Sequence, residues 1–217
     1  MINIKKQEDL FIAIGNMLRR KIIVYAIGGT AMMLRGIKDS TLDIDLVFNK
    51  REDRKEFIDS LKKLGAKESD VTLVYGLKTN TPIMIELNDA RFDLFLNKII
   101  SSVFSEKMKQ RAKEIHEFGK NLIIKNADVH DIIMMKSATS RIKDLEDIIT
   151  IVNKNLINWD ILVNEAEEQI NLGNETAVIS LGEKLEELSN QKTIKIPKSV
   201  LYSLWKLVKK QNKKEKN

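Results

Sequence analysis

Two aspartates alternate with apolar residues in the segment Asp43 to Phe48, which reads DIDLVF. In a β-strand successive side chains point to opposite faces, so Asp43 and Asp45 share one face while Ile44 and Leu46 face the core. Like charges this close repel unless a divalent cation or basic neighbours neutralise them, and magnesium is the natural candidate. The same alternation is typical of any half-solvated strand, so this segment alone leaves both interpretations open.

A pair of glycines, Gly28 and Gly29, follows the apolar run Ile22 to Ile27. Glycines allow a sharp turn and a close approach of the backbone to a ligand. The short helix predicted from Thr30 to Leu34 would present N–H groups and its positive dipole end to an anion such as a phosphate. An isolated Gly-Gly pair more often makes only a tight strand-to-helix turn.

A third acid lies further along the chain, in the run RFDLFL from Arg91 to Leu96. Alternation places Asp93 on the face that it shares with Arg91 and Phe95. A lone acid on a strand is usually solvated. Asp93 completes a set of three carboxylates only if its strand pairs beside the strand of Asp43 and Asp45.

A cluster of charged residues occupies the later run KSATSRIKDLEDIITIV, which begins at Lys136. Residues three and four apart are neighbours on a helix surface. The spacing therefore predicts two surface ion pairs, Arg141 with Asp144 and Lys143 with Asp147.

The elements that must position these residues follow from apolar periodicity. Strands are predicted at Ile22 to Ile27, Asp43 to Phe48, Val71 to Tyr75, Ile83 to Leu87, Arg91 to Leu96 and Asn121 to Lys125. Helices are predicted at Lys6 to Arg20, Thr30 to Leu34, Lys50 to Leu64, Phe104 to Phe118, Asp128 to Thr139, Trp159 to Asn171, Glu175 to Ser189 and Ser199 to Lys210. Strands that precede helices predict an α+β fold, with a mixed sheet flanked by helices and then a helical C-terminal domain. We expect domains at 1–120 and 121–211 and a disordered basic tail at 212–217.

Composition sets outer limits on the function. The chain has 217 residues, a formal net charge of +6 and no cysteine, which excludes disulfides and thiolate metal sites. The positive charge favours encounters with polyanions such as RNA or nucleotides. No apolar run of about 18 residues and no signal-peptide pattern occurs, so neither a membrane nor secretion is indicated and we expect a cytoplasmic protein.

Taken together, Ile27-Gly28-Gly29 and the later Asp43-Ile44-Asp45-Leu46 resemble the signature of the nucleotidyltransferase superfamily that includes DNA polymerase beta. The segment GGTAMMLRGIKDSTLDIDLVF, together with the later segment DIIMMKSATSRIKDLEDI, is similar in sequence to AbiEii-type toxins and to related minor nucleotidyltransferase families. One departure is Asp39, three residues after Gly36, where these relatives often have an arginine. That difference leaves any phosphate contact at Asp39 open.

The resemblance implies a magnesium-dependent transfer of a nucleoside monophosphate from a nucleoside triphosphate to a hydroxyl. Asp43, Asp45 and Asp93 would be the catalytic residues and would hold two Mg²⁺ ions, with Asp93 also a candidate base. The remaining residues that the resemblance assigns would bind the nucleotide: Gly28, Gly29, Thr30, Lys136 and Asp144.

The acceptor stays open at this point. An RNA or tRNA 3′ end suits the basic charge, and a hydroxyl of a protein or of a small molecule such as an aminoglycoside is a further candidate. A cognate antitoxin would be a partner if the protein acts as a toxin. The alternative is a catalytically inactive member of the same fold that binds nucleotide or RNA, although such a protein would be expected to lose one of the three acids or two glycines.

Overall fold

The structure is a computed structural model that describes residues 1–139, 141–155 and 157–214, with side chains up to residue 211. The strands are β1 Ile2–Asn3, β2 Ile22–Ala26, β3 Ser40–Thr41, β4 Asp43–Phe48, β5 Lys67–Ser69, β6 Ile83–Leu87, β7 Ala90–Leu96, β8 Lys98–Ile99, β9 Ser102–Val103, β10 Glu114–Phe118 and β11 Leu122–Asn126. The helices are α1 Ile4–Met17, α2 Gly28–Leu34, α3 Arg51–Lys63, α4 Thr72–Tyr75, α5 Glu106–Arg111, α6 Val129–Ser137, α7 Ile142–Lys154, α8 Trp159–Asn171, α9 Glu175–Asn190 and α10 Lys198–Lys214.

The chain forms two compact units, which differ in extent from the predicted domains. The first contains residues 1–100 and 109–128, and the second contains residues 101–108 and 129–217. The predicted border after residue 120 falls inside the first unit, because β11 joins the sheet of that unit and pairs with β2. Of the predicted tail at 212–217, residues 212–214 belong to α10, and residues 215–217 lie outside the described residues.

The first unit is built on a mixed sheet. Its strands follow the order β10-β11-β2-β4-β7-β6-β5. Two of the pairs are parallel, β11 with β2 and β4 with β7, and the other neighbours are antiparallel. Helix α3 packs on this sheet through Phe57, whose ring lies 5.3 Å from Phe48 and 6.3 Å from Phe92. This aromatic contact buries one face of β4 and β7 and fixes which of their side chains face away from α3.

The second unit is helical in its larger part, as the sequence predicts. Residues fully buried in helices α8, α9 and α10 include Leu162, Leu181 and Leu204. The segment 101–108 joins this unit through the backbone of Val103, which exchanges two hydrogen bonds with the side chain of Gln169 at 3.0 and 2.8 Å. The predicted α+β fold, a mixed sheet with helices followed by a helical part, is confirmed.

Two predicted elements are wrong. Within the predicted strand at residues 71–75, Thr72–Tyr75 form the one-turn helix α4, because the Asp70 carboxylate accepts a hydrogen bond from the Thr72 N–H at 2.8 Å and Gly76 ends the turn with a φ of 60°. The helix predicted at Phe104 to Phe118 stops at Arg111. Its second half is β10, which pairs with β11 across a turn at Gly119, where φ is 58°.

In the part of the chain that the structure describes, no helix combines the length and apolar character needed to cross a membrane.

Candidate active site

The acids of β4 lie on one face of the strand, as the alternation predicts. Ile44 and Leu46 are fully buried, while Asp43 and Asp45 keep part of their surface exposed. The sheet fixes this arrangement, because a shift of one residue in register would turn the aspartates into the core.

Strand β7 brings the third acid to the same place. It runs parallel to β4, with Asp45 opposite Asp93 and Asp43 opposite Arg91. The condition set by the sequence, that the strand of Asp93 pairs beside the strand of the other two acids, is therefore met. One carboxylate oxygen from each of Asp43, Asp45 and Asp93 lies within 4.8 Å of the others.

The Gly-Gly turn lies against this acid cluster. Gly28 begins α2 with a φ of 54°, and a Cβ at this position would be 2.6 Å from Oδ2 of Asp45. A Cβ at Gly29 would collide with Oγ1 of Thr41. Both glycines are therefore needed for close contact, and Gly28 also for its backbone conformation.

The side chain of Thr30 connects α2 to the acidic strand. Its hydroxyl oxygen accepts a hydrogen bond from the backbone N–H of Asp45 at 2.8 Å, and the residue is fully buried. The backbone N–H of Ile27 also donates to the carbonyl oxygen of Asp45, at 3.2 Å. These bonds hold the turn and the acid in a fixed relation.

Two further residues contact the acids, and the sequence interpretation gave neither a role. Arg91 donates from Nη2 to Oδ2 of Asp43, and from Nε to Oδ1 of Asp93 at 3.0 Å. Tyr75, on α4, donates its hydroxyl hydrogen to Oδ2 of Asp93 at 2.6 Å. The position of Arg91 on the same strand face as Asp93 was a usable signal. The sequence held no comparable signal for Tyr75, because its contact with Asp93 depends on how the one-turn helix α4 packs against the sheet.

Burial and charge shift the pKa values of these groups. Burial raises the pKa of Asp93, although hydrogen bonds from Tyr75 and the charge of Arg91 act in the opposite direction. For Tyr75, burial and then the nearby Asp45 and Asp93 raise the pKa, so its hydroxyl stays protonated and donates. Burial would lower the pKa of Arg91, but Asp93 and Asp43 outweigh it and the net shift is upward.

The donor set fits a hard divalent cation. Asp43, Asp45 and Asp93 offer only carboxylate oxygens, which are the ligands that Mg²⁺ prefers. Among the described residues the cluster contains neither histidine nor cysteine, which would favour zinc.

Lys136 and Asp144, which the resemblance assigned to nucleotide binding, belong to the second unit. Nζ of Lys136 lies 2.7 Å from Oδ1 of Asp144 and 2.7 Å from Oδ2 of Asp147, and the lysine side chain is 8% exposed. The predicted pair of Arg141 with Asp144 is present at 2.7 Å, whereas Asp147, predicted to pair with Lys143, pairs with Lys136. These contacts join α6 to α7. The contact of Lys136 and Asp144 with a nucleotide stays a prediction.

The pKa shifts in this cluster agree with firm ion pairing. The pKa of Asp144 is lowered to about 2, because Lys136 and the hydrogen bonds from Lys136, Thr139 and Arg141 outweigh the effect of burial. Burial would lower the pKa of Lys136, but Asp144 and Asp147 raise it overall. The lysine is therefore charged and held between two acids.

Lys136→Met is expected to destabilise the protein by about 3 to 5 kcal/mol, because it removes the buried counter-ion that Asp144 and Asp147 share. Lys184→Met is the matched control. Lys184 pairs with Glu187 on α9 at 3.0 Å, where both side chains are more exposed than Lys136, and its loss should change the stability by less than about 1 kcal/mol. Urea unfolding followed by circular dichroism measures both. Equal stabilities for the two variants would contradict a structural role for the Lys136 cluster.

The mixed sheet therefore places three carboxylates beside a turn of two glycines. A sequence profile described as "Nucleotidyltransferase of unknown function (DUF6036)" matches residues 5–192. The chain therefore belongs to that family. No curated protein matches the sequence.

One similar solved structure is the crystal structure of ANT(2″)-Ia in complex with adenylyl-2″-tobramycin. It is 15% identical, and the similarity covers 83% of this chain and 98% of that chain with a TM-score of 0.46. Similarity at this level carries no conclusion about the substrate.

Proposed function

We propose that this protein transfers a nucleoside monophosphate from a nucleoside triphosphate to a hydroxyl acceptor, with Asp43, Asp45 and Asp93 holding two Mg²⁺ ions. One observation carries the proposal. Acids from two strands come within 4.8 Å of one another, directly beside a turn that only glycine fits. The contact of Gly28 with Asp45 leaves no room for a Cβ, so the turn brings its backbone directly against the acids.

The bound ions would neutralise charge on the triphosphate and polarise the attacking hydroxyl. The residues of the chain supply positioning. The pairing of β4 with β7 fixes the three carboxylates in a rigid sheet, and Tyr75 and Arg91 orient the Asp93 carboxylate through hydrogen bonds. Phosphoryl chemistry of this type needs little beyond positioning and charge neutralisation, so it needs no histidine or cysteine nucleophile.

The glycine turn is the proposed place for the triphosphate. The residue before α2, Ile27, offers no side-chain cap for the N–H groups of Gly28 and Gly29. Gly28 brings its backbone next to Asp45, so a phosphate at the turn would lie beside a metal-binding carboxylate. The hydroxyl oxygen of Thr30 accepts a hydrogen bond from β4, which holds this turn in place. The hydroxyl hydrogen of Thr30 is a candidate donor to the triphosphate.

An RNA 3′ end, such as that of tRNA, is the favoured acceptor. The net charge of +6 supports a polyanionic partner. The sequence resemblance to AbiEii-type toxins supports the same acceptor and brings in a cognate antitoxin as a further partner. A protein hydroxyl or a small molecule is the alternative acceptor.

Labelling tests the proposal. The purified protein is incubated with Mg²⁺ and each of the four α-³²P-labelled nucleoside triphosphates, with total RNA, with tRNA or alone. We expect one triphosphate to label RNA in a ribonuclease-sensitive and EDTA-sensitive manner. If protein is labelled instead of RNA, the acceptor is a protein hydroxyl. Tight nucleotide binding without any label, in the presence of a cell extract that supplies all acceptor classes, would favour the inactive nucleotide-binding alternative.

A further inference from the structure

Arg91 is a cation that contacts two members of the acid cluster. It lies on β7 two residues before Asp93, and the register of the sheet places it opposite Asp43. Its guanidinium reaches both acids, donating to Oδ2 of Asp43, to Oδ1 of Asp93 at 3.0 Å and to Oδ2 of Asp93 at 3.2 Å. The side chain is 24% exposed, so the charge is partly shielded from water.

These bonds occupy the oxygens that a metal ion would use. Both carboxylate oxygens of Asp93 accept hydrogen bonds from Arg91, and Oδ2 also accepts one from Tyr75. Asp93 is fully buried, so solvent does not reach its oxygens. A divalent cation that bound Asp43 and Asp93 would meet a fixed positive charge at those atoms, and like charges repel strongly where water is excluded.

We infer that Arg91 is a resident counter-cation. It holds Asp43 and Asp93 together in the nucleotide-free protein, and it must release both when a divalent cation enters. This inference rests on the proposed function, because it takes the acid cluster as the metal site. Arg91 therefore acts through the carboxylates, as a positioning residue. The consequence is weak divalent-cation binding in the nucleotide-free protein.

Arg91→Met tests the inference by metal binding rather than by activity. Mn²⁺ is titrated into the nucleotide-free protein by calorimetry, with bound Mn²⁺ followed by electron paramagnetic resonance. We expect the dissociation constant of Mn²⁺ to fall at least about tenfold, because the competing charge is gone and the cluster is more negative. Without metal the variant should unfold at a lower temperature than the wild type, and Mn²⁺ should restore most of the difference.

Two further variants separate charge from packing. Arg91→Gln keeps hydrogen-bond donors without the charge, and it should also bind Mn²⁺ more tightly, which keeps the test available if Arg91→Met folds poorly. Arg54→Met is the matched control. Arg54 donates from Nη1 to the carbonyl oxygen of Leu94 at 3.3 Å, so it contacts the same strand through the backbone rather than through an acid. Its loss should leave Mn²⁺ affinity unchanged.

The outcomes distinguish this inference from the proposed function. If the wild type binds Mn²⁺ and both Arg91 variants bind it equally or more weakly, Arg91 has only a structural role and the inference is wrong, while nucleotidyl transfer stands. If the wild type and both variants bind no Mn²⁺ even with a nucleoside triphosphate present, the acid cluster is not a metal site, and the proposed function fails with it.

Discussion

Asp43→Asn combined with Asp45→Asn is expected to abolish nucleotidyl transfer while the protein stays folded. These side chains supply two of the three carboxylates in the cluster, and asparagine keeps their shape without their charge. Metal-based stabilisation of a transition state contributes several kcal/mol, so the loss should be about 1,000-fold or more. The incorporation of α-³²P label per minute measures it, with circular dichroism to confirm the fold.

Asp59→Asn is the matched control for this double variant. Asp59 is an aspartate on α3 of the same unit. Its carboxylate lies 2.6 Å from Nζ of Lys55, and this pair is not part of the acid cluster. Its variant should retain activity within about twofold, because a surface pair contributes little. Full activity in the Asp43→Asn, Asp45→Asn protein would refute the metal mechanism.

Gly28→Ala is expected to remove activity by at least about 100-fold, since a loss near 3 kcal/mol of transition-state stabilisation has that effect. The added Cβ would lie 2.6 Å from Oδ2 of Asp45, so that carboxylate must leave its present position in the cluster. The backbone φ of 54° adds strain of roughly 1 to 2 kcal/mol for a residue with a Cβ. Initial rates of transfer and urea unfolding measure the two effects separately.

Gly36→Ala is the control that separates backbone strain from contact with Asp45. Gly36 also has a positive φ, 66°, but a Cβ there would have no heavy atom within 4 Å. It should therefore show a similar loss of stability from backbone strain and a nearly normal rate. If Gly28→Ala and Gly36→Ala reduce the rate equally, the contact of Gly28 with Asp45 does not contribute to the transfer rate. The glycine turn would then not be part of the active site.

The central strands could be predicted from the sequence because their patterns are local. Strand β4 has the predicted bounds, and β7 begins only one residue earlier than predicted, since runs of apolar residues broken by single acids are typical of half-buried strands. Helix α8 also has the predicted bounds, from Trp159 to Asn171. Alternation and helical periodicity both depend on a few adjacent residues, so one chain is enough to detect them.

The errors arose where strand pairing or a polar side chain decides the structure. Residues 114–118 contain enough apolar residues for a helix, but they complete the edge of the sheet by pairing with β11. Residues 71–75 look like a strand by composition, and the side chain of Asp70 closes them into a turn. In the first case the deciding partner is a neighbouring strand, and in the second it is a polar side chain two residues before Thr72, which apolar periodicity does not detect.

The candidate site was predictable to a similar extent. Asp43 and Asp45 follow from alternation, and Asp93 follows once its strand is taken to lie beside theirs, which the register confirms. The ion pairs of Lys136 with Asp144 and Asp147 were not predictable, because they join two helices rather than neighbours on one helix. Helical spacing describes contacts along one element only.

The parallel pairing of β4 with β7 also determines when the acid cluster can form during protein synthesis. Asp45 and Asp93 are 48 residues apart in the chain (93 − 45), so the acid cluster is a long-range product of folding rather than a local motif. Pairings of this kind form slowly compared with local turns and helices. A nascent chain that has emerged only as far as α3 holds two of the three acids and lacks both Arg91 and Tyr75. In a ribosome-bound chain the acid cluster is therefore incomplete until the strand that begins at Ala90 has emerged and paired.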